Sequence, residues 1–150
     1  MQARIDKPVP LRIFVAEDHY PDVRWLQVVL DDLAVAYSLV VVDDGASAID
    51  FFLKRGRYSD ALDPDIALLD LNLPKSSGIE ILASIQDGRR RPVCILTSSS
   101  LERNMIVQRF GLNVQCYILK PIDEHKLLEA FDCFEHLKSL ASRLRKTQHE

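Results

Sequence analysis

Several polar residues stand directly after short apolar runs. Glu17 and Asp18 follow Leu11–Ala16, and Asp70 closes Asp65–Asp70 with Asn72 just beyond. Thr97 and Ser98 end Val93–Thr97, and Lys120-Pro121 follows Gln115–Leu119. If the runs lie side by side, three carboxylates share one cleft. They repel, and raise one another's pKa unless cations intervene. Lys120 supplies one positive charge, and a divalent ion is the natural second. The ligands on offer are all oxygen: Asp18, Asp70, water and backbone carbonyls in the turn near Asn72. Such a set suits Mg²⁺, which keeps several waters and takes the rest from phosphate. No His-rich or Cys-rich cluster competes as a zinc site, and His19 has no partner histidine at helical spacing. The set fits phosphoryl transfer to a carboxylate. Asp70 is the candidate acceptor, with ammonium and metal neutralising the equatorial oxygens and the Thr97 hydroxyl binding another.

The elements that must position these groups alternate along the chain. Leu11–Ala16, Tyr37–Val42, Asp65–Asp70, Val93–Thr97 and Gln115–Leu119 are rich in Val, Ile and Leu and read as strands buried on both faces. Helical spacing falls between them. Pro21–Leu33 places Trp25, Val28, Val29 and Leu33 on one face, with Pro21 in the first turn. Ala46–Lys54 presents Ile49, Phe52 and Leu53 after the Asp44-Gly45 turn, and Gly78–Gln86 presents Ile81, Leu82 and Ile85 before a Gly88 cap. Leu101–Phe110 and a long segment from Asp123 complete the series. Repeated βα alternation predicts an α/β fold, a doubly wound five-stranded parallel sheet of order 2-1-3-4-5, flavodoxin-like, with helices on both faces. The excursion from Arg55 to Pro64 reads as a surface loop without an element of its own. In this order the first and third strands are neighbours, so Glu17, Asp18 and Asp70 converge at the sheet edge where such folds bind ligands.

Composition bounds the alternatives. The 150 residues, 47% hydrophobic and 27% charged, suit one domain: residues 1–10 as an extension and 11–150 as a single unit. A net charge of −3 argues against direct DNA binding. No apolar run spans a membrane and no signal-peptide core precedes Pro10, which predicts a cytoplasmic protein. Cys94, Cys116 and Cys133 lack metal or redox spacing. None of the glycines forms a nucleotide-binding run.

Together Glu17-Asp18, Leu68–Pro74, Thr97-Ser98 and Tyr117–Pro121 resemble the receiver domain of two-component response regulators, over about residues 11 to 140. More narrowly, Leu71–Lys75, the long loop before the third strand and Asn113–Pro121 resemble small single-domain receivers paired with bacterial and cyanobacterial phytochrome kinases. The resemblance implies that Asp70 is phosphorylated by a sensor histidine kinase or phosphotransfer protein. It implies that Glu17 and Asp18 hold Mg²⁺ with Asp70 and the Asn72 backbone carbonyl. Thr97 would be the switch hydroxyl, Tyr117 the aromatic that changes rotamer with it, Lys120 the phosphoryl contact, and the bond to Pro121 cis. Such a chain is a signalling phosphoprotein, at most self-phosphorylating from small donors and slowly dephosphorylating, and not otherwise an enzyme.

Taken singly these residues have ordinary readings: Asp18 a helix cap, Asp70 an Asx-turn, Lys120 a solvated strand-end lysine. Their recurrence along one sheet edge favours the site. The alternative is a receiver-fold binding module that phosphate does not regulate. A metal-dependent phosphatase would want a second Asp where Asn72 stands, and a substrate cap. Output then falls to a downstream protein that reads a phosphorylation-sensitive face. From Leu127 the residues Ala130, Phe134, Leu137, Ala141 and Leu144 recur at three- and four-residue steps. They predict one final helix of about 20 residues whose distal row overhangs the sheet. With the last strand and the Leu101–Phe110 helix, that row offers a homodimer face.

Overall fold

The computed structural model describes residues 9–76, 78–85, 94–98 and 116–148. Its elements in chain order are β1 (Leu11–Ala16), α1 (Tyr20–Asp32), β2 (Tyr37–Val42), α2 (Gly45–Phe52), a 3₁₀ turn (Gly56–Tyr58), β3 (Ile66–Asp70), α3 (Gly78–Ile85), β4 (Cys94–Ser98), β5 (Cys116–Leu119), α4 (Glu124–Asp132) and α5 (Glu135–Thr147). The strands form one sheet of order β2-β1-β3-β4-β5, parallel throughout. This is the doubly wound α/β fold that the alternation predicts. The Leu101–Phe110 helix, the Gly88 cap, Ser99 and Asn113 lie outside the described residues.

Register explains why the strand ends meet. Ala16 pairs with Leu69, which brings Glu17 level with Asp70, and Asp70 pairs with Thr97. One face of the central strands packs Ile13, Val15, Ile66 and Leu68 against Leu26, Leu30, Leu127 and Phe131. The other face packs Phe14, Ala16, Ala67 and Leu69 against Ala48, Phe51 and Ile81. Phe51 stacks on Phe14 at 4.1 Å between ring centroids. All five residues of β3 are buried, so the strand carrying Asp70 is clamped between both layers.

Four expectations need correction. First, α1 buries Val23, Leu26, Val29 and Leu30, while Trp25 and Val28 are 48% and 40% exposed. The inner row is rotated from the predicted one because Leu26 and Leu30 fill the core. Second, β2 is not buried on both faces. It is the sheet edge, and Val40 and Val41 are exposed. Third, α2 turns Phe51 inward and leaves Leu53 exposed. The loop behind it holds a 3₁₀ turn whose Tyr58 ring reaches Phe51 at 5.6 Å.

The fourth concerns the chain end. The single long helix is two helices broken at Cys133 and Phe134, where Phe134 is extended (φ −122°, ψ 126°) and buried. Leu137, Ala141 and Leu144 join the α1/α4 core instead of overhanging it. Arg145 forks onto Asp132, pinning α5 back against the end of α4. The start of α5 is tied to the residue before β3 and its end to the last residue of α1: His136 Nε2 lies 3.0 Å from the carbonyl of Asp65, and the Gln148 amide donates to the carbonyl of Asp32 at 3.4 Å. The distal row is therefore buried within the protomer and does not overhang the sheet. Replacing Leu137 with Ala is expected to cost about 2–5 kcal/mol in urea unfolding. Leu62→Ala, at an exposed loop position, is expected to stay within about 0.5 kcal/mol. Equal small losses would contradict the α5 packing.

Candidate functional site

The carboxyl edge of the sheet brings the predicted polar set together around one ammonium. Lys120 emerges from β5 with side-chain exposure of 14% and donates to Asp70 Oδ2 at 2.7 Å, to Asp22 Oδ2 at 2.9 Å and to Glu17 Oε1. The Lys120–Pro121 peptide is cis. Lys126, in the first turns of α4, holds the same corner by donating to the carbonyls of Leu119 and Pro121 at 3.1 and 2.9 Å. Asp70 Oδ1 accepts from the backbone N–H of Asn72 at 2.7 Å, so each oxygen of this carboxylate is engaged. Leu71 N donates to the Thr97 carbonyl at 3.0 Å, which holds the turn after β3 against β4. The Thr97 hydroxyl is buried and lies 3.5 Å from the carbonyl of Leu69. Tyr117 is half-buried beside the Phe14 cluster.

Glu17, Asp18 and Asp70 each offer a carboxylate oxygen, and these atoms lie within 4.8 Å of one another. Glu17 and Asp70 are buried; Asp18 is exposed. Three hard oxygen ligands at this spacing fit a divalent cation that keeps part of its water shell. Glu17 and Asp18 open onto a depression bordered by Tyr20, Val41, Asp43 and Arg57. Gly45 packs on Ser76, where a Cβ would stand 2.3 Å from that residue's own, and Asp44 caps α2 by accepting from Ser47 N at 2.7 Å.

Charge balance sets the protonation states. Burial pushes the Glu17 carboxyl up, and a hydrogen bond shared with Asp70 adds to this, raising its pKa to about 8 against the opposing pull of Lys120. Burial also pushes Asp70 up. Its bonds to Glu17, Lys120 and the Asn72 N–H prevail, holding it below the ordinary carboxylate range. Burial works against the Lys120 ammonium, but Asp70, Glu17 and Asp22 outweigh it and raise its pKa. One ammonium does not neutralise this many carboxylates, and the pair Glu17–Asp70 responds by sharing a proton. A metal ion is the other way to supply that charge.

Glu17, Asp18, Asp70, Asn72, Thr97 and Lys120 lie at this edge of the sheet, whereas Tyr117 pairs with Leu96, one residue before Thr97, and packs on the Phe14 cluster. Sequence reasoning missed Asp22. It stands in the first turn of α1, where an acidic residue is commonplace and complements the helix dipole. Its spacing of four from Asp18 was the available signal. Trp25 was also missed: it lines the small cavity beside Glu17, Thr97 and Lys120, and its Nε1 donates to the carbonyl of Ile122.

A parallel sheet of this order with an acid cluster and a lysine at its carboxyl edge defines a receiver-type α/β domain. Residues 13–132 match the response regulator receiver domain, and the chain belongs to that family. It is 36% identical over 131 residues to the response regulator Rcp1 of Synechocystis sp., covering 83% of this chain and 88% of that protein. The Mn²⁺-bound form of Rcp1 superposes with a TM-score of 0.67 at 30% identity, covering 89% and 93% of the two chains. The bacteriophytochrome response regulator AtBRR gives a TM-score of 0.75 at 28% identity, over 84% of this chain and 93% of that one. The phosphorylated cyanobacterial phytochrome response regulator RcpA gives 0.67 at 31%, over 93% and 92%. The family match ends at Asp132, so α5 lies beyond it.

The raised Glu17 pKa has a consequence for stability. A carboxyl that binds its proton more tightly when folded favours the fold at low pH and loses that contribution as pH rises. For Glu17 the window runs from the ordinary value of 4.5 up to about 8. Asp70, depressed, contributes in the opposite sense and loses its share as pH falls through the acid range. In chelator, the urea midpoint of the wild type should fall as pH rises through the Glu17 window, and Glu17→Gln should flatten that slope. Parallel slopes in the two proteins would contradict the shared proton.

Proposed function

We propose that this chain is a phosphoacceptor switch in which Asp70 takes a phosphoryl group from a sensor histidine kinase. The observation that carries this reading is the convergence of Lys120, Glu17 and Asp18 on Asp70 at the carboxyl edge of the sheet. An oxygen of Asp70 attacks phosphorus, the donor P–N bond breaks, and the departing imidazole keeps the bonding pair and takes up a proton. Lys120 stays beside Asp70 and meets the charge on a transferred oxygen. The Asn72 N–H orients the carboxylate, and the Thr97 hydroxyl, one strand away, donates to a further oxygen once it leaves the Leu69 carbonyl. Tyr117 follows Thr97 by changing rotamer. Glu17, Asp18, Asp70 and the Asn72 carbonyl would hold Mg²⁺, which would supply positive charge to offset the carboxylates and the phosphoryl group.

The kinase is of the phytochrome type. The similarity to AtBRR and RcpA supports this, because those proteins are named as bacteriophytochrome and phytochrome response regulators. The setting is the cytoplasm, and no helix among the described residues is long and apolar enough to cross a membrane. Output passes to a downstream protein that reads the Thr97–Tyr117 face, with no catalysis beyond self-phosphorylation from small donors and slow dephosphorylation.

Label on an autophosphorylated bacteriophytochrome histidine kinase should pass to this chain within minutes in Mg²⁺. It should not pass to Asp70→Asn or Asp18→Asn. Transfer to Asp70→Asn would place the acceptor elsewhere. Failure with several phytochrome kinases, alongside ready transfer from an unrelated histidine kinase, would overturn the pathway but keep the switch.

A further inference from the structure

We infer that Asp22 is a positioning residue that keeps the Lys120 ammonium beside Asp70 when a divalent cation enters the acid cluster. This rests on the phosphoacceptor reading above and adds a residue to it. Lys120 donates to three carboxylates, two of which, Glu17 and Asp70, are also metal-ligand candidates. Asp22 is the third, and it stands outside that candidate group. An ammonium and a divalent ion compete for the same lone pairs, so Lys120 must loosen its hold on Glu17 for Glu17 to serve as a ligand. Without another anchor, a lysine on a flexible four-carbon stem gains entropy by swinging to water. Asp22 Oδ2, 2.9 Å from Nζ, supplies that anchor.

The geometry suits the task. Asp22 sits in the first turn of α1, and α1 is fixed at both levels: Leu26 and Leu30 are buried in the core, and Trp25 donates to the Ile122 carbonyl just after the Lys120–Pro121 bond. Helix and lysine corner are therefore directly hydrogen-bonded. His19 Nδ1 lies 3.0 Å from the same Asp22 oxygen, which limits the carboxylate's own rotation. Removing the Asp22 charge has a twofold effect. Lys120 settles more firmly on Glu17 and Asp70 and competes harder with the cation. Once displaced, it has no fixed place from which to meet the phosphoryl group.

The test is a double-mutant cycle read by metal affinity and by phosphorylation rate. Trp25 is the single tryptophan and lines the cavity with Lys120, so its fluorescence follows Mg²⁺ titration without any phosphodonor. Asp22→Asn should raise the apparent Mg²⁺ dissociation constant by about threefold or more. It should also lower the maximal rate of Asp70 phosphorylation from acetyl phosphate at saturating Mg²⁺. Asp22→Glu should restore part of both. In a Lys120→Met background, Asp22→Asn should change metal affinity far less than in the wild type. An undiminished effect in that background, or wild-type affinity and rate in Asp22→Asn, would overturn the inference. If the wild type itself accepts no phosphoryl group, the phosphoacceptor reading fails, and the fluorescence cycle still decides whether Asp22 acts through Lys120.

Discussion

The site depends on how a sheet edge tolerates several buried or half-buried carboxylates. In water, acids at this spacing repel only modestly. Between two packed layers the repulsion grows, because the effective dielectric falls and each carboxylate also loses hydration. Lys120 makes the arrangement stable. Its ammonium reaches Asp70, Glu17 and Asp22 at once, and a proton held on Glu17 beside Asp70 offsets only part of the charge still missing. The edge is thus held in an under-neutralised state that a divalent cation and a phosphoryl group can both exploit, one by adding charge to the acids and the other by engaging the lysine.

The fold serves this edge by rigidity. β3 is buried along its whole length, and its neighbours β1 and β4 are in register so that Glu17, Asp70 and Thr97 fall level. The layers on either face differ in character. Phe14, Phe51 and Phe52 make a stacked aromatic cluster at α2, whereas the α1/α4 side packs mostly Leu, Ile and Val with Phe131 and Phe134 and is closed by α5. The extra helix is tied to the entry of β3 through Asp65 and to the end of α1 through Asp32, and so supports the frame at the end opposite the acids.

Much of this was legible in the sequence because strand ends in a parallel sheet are marked twice, by the stop of an apolar run and by the polar residue that follows. Glu17, Asp70, Thr97 and Lys120 each carry both marks. Helix faces were less legible. In α1, Trp25 and Val28 are as apolar as Leu26 and Leu30, and only packing against the sheet decides which row turns inward. The break at Phe134 was hidden for a related reason. The three- and four-residue steps run on through it, because a buried aromatic in extended backbone keeps the apolar count of a helix while ending the helix itself. Asp22 escaped notice because an acid in a first turn already has an ordinary role.

The central claim is that Asp70 is the phosphoacceptor at this under-neutralised edge. Intact-mass measurement after incubation with a small phosphodonor and Mg²⁺, on wild type and Asp70→Asn, tests it most directly. The account predicts a single added phosphoryl group on the wild type, dependent on the metal and absent from the variant. An unmodified wild type under every donor and metal condition, or an adduct that persists in Asp70→Asn, would contradict it.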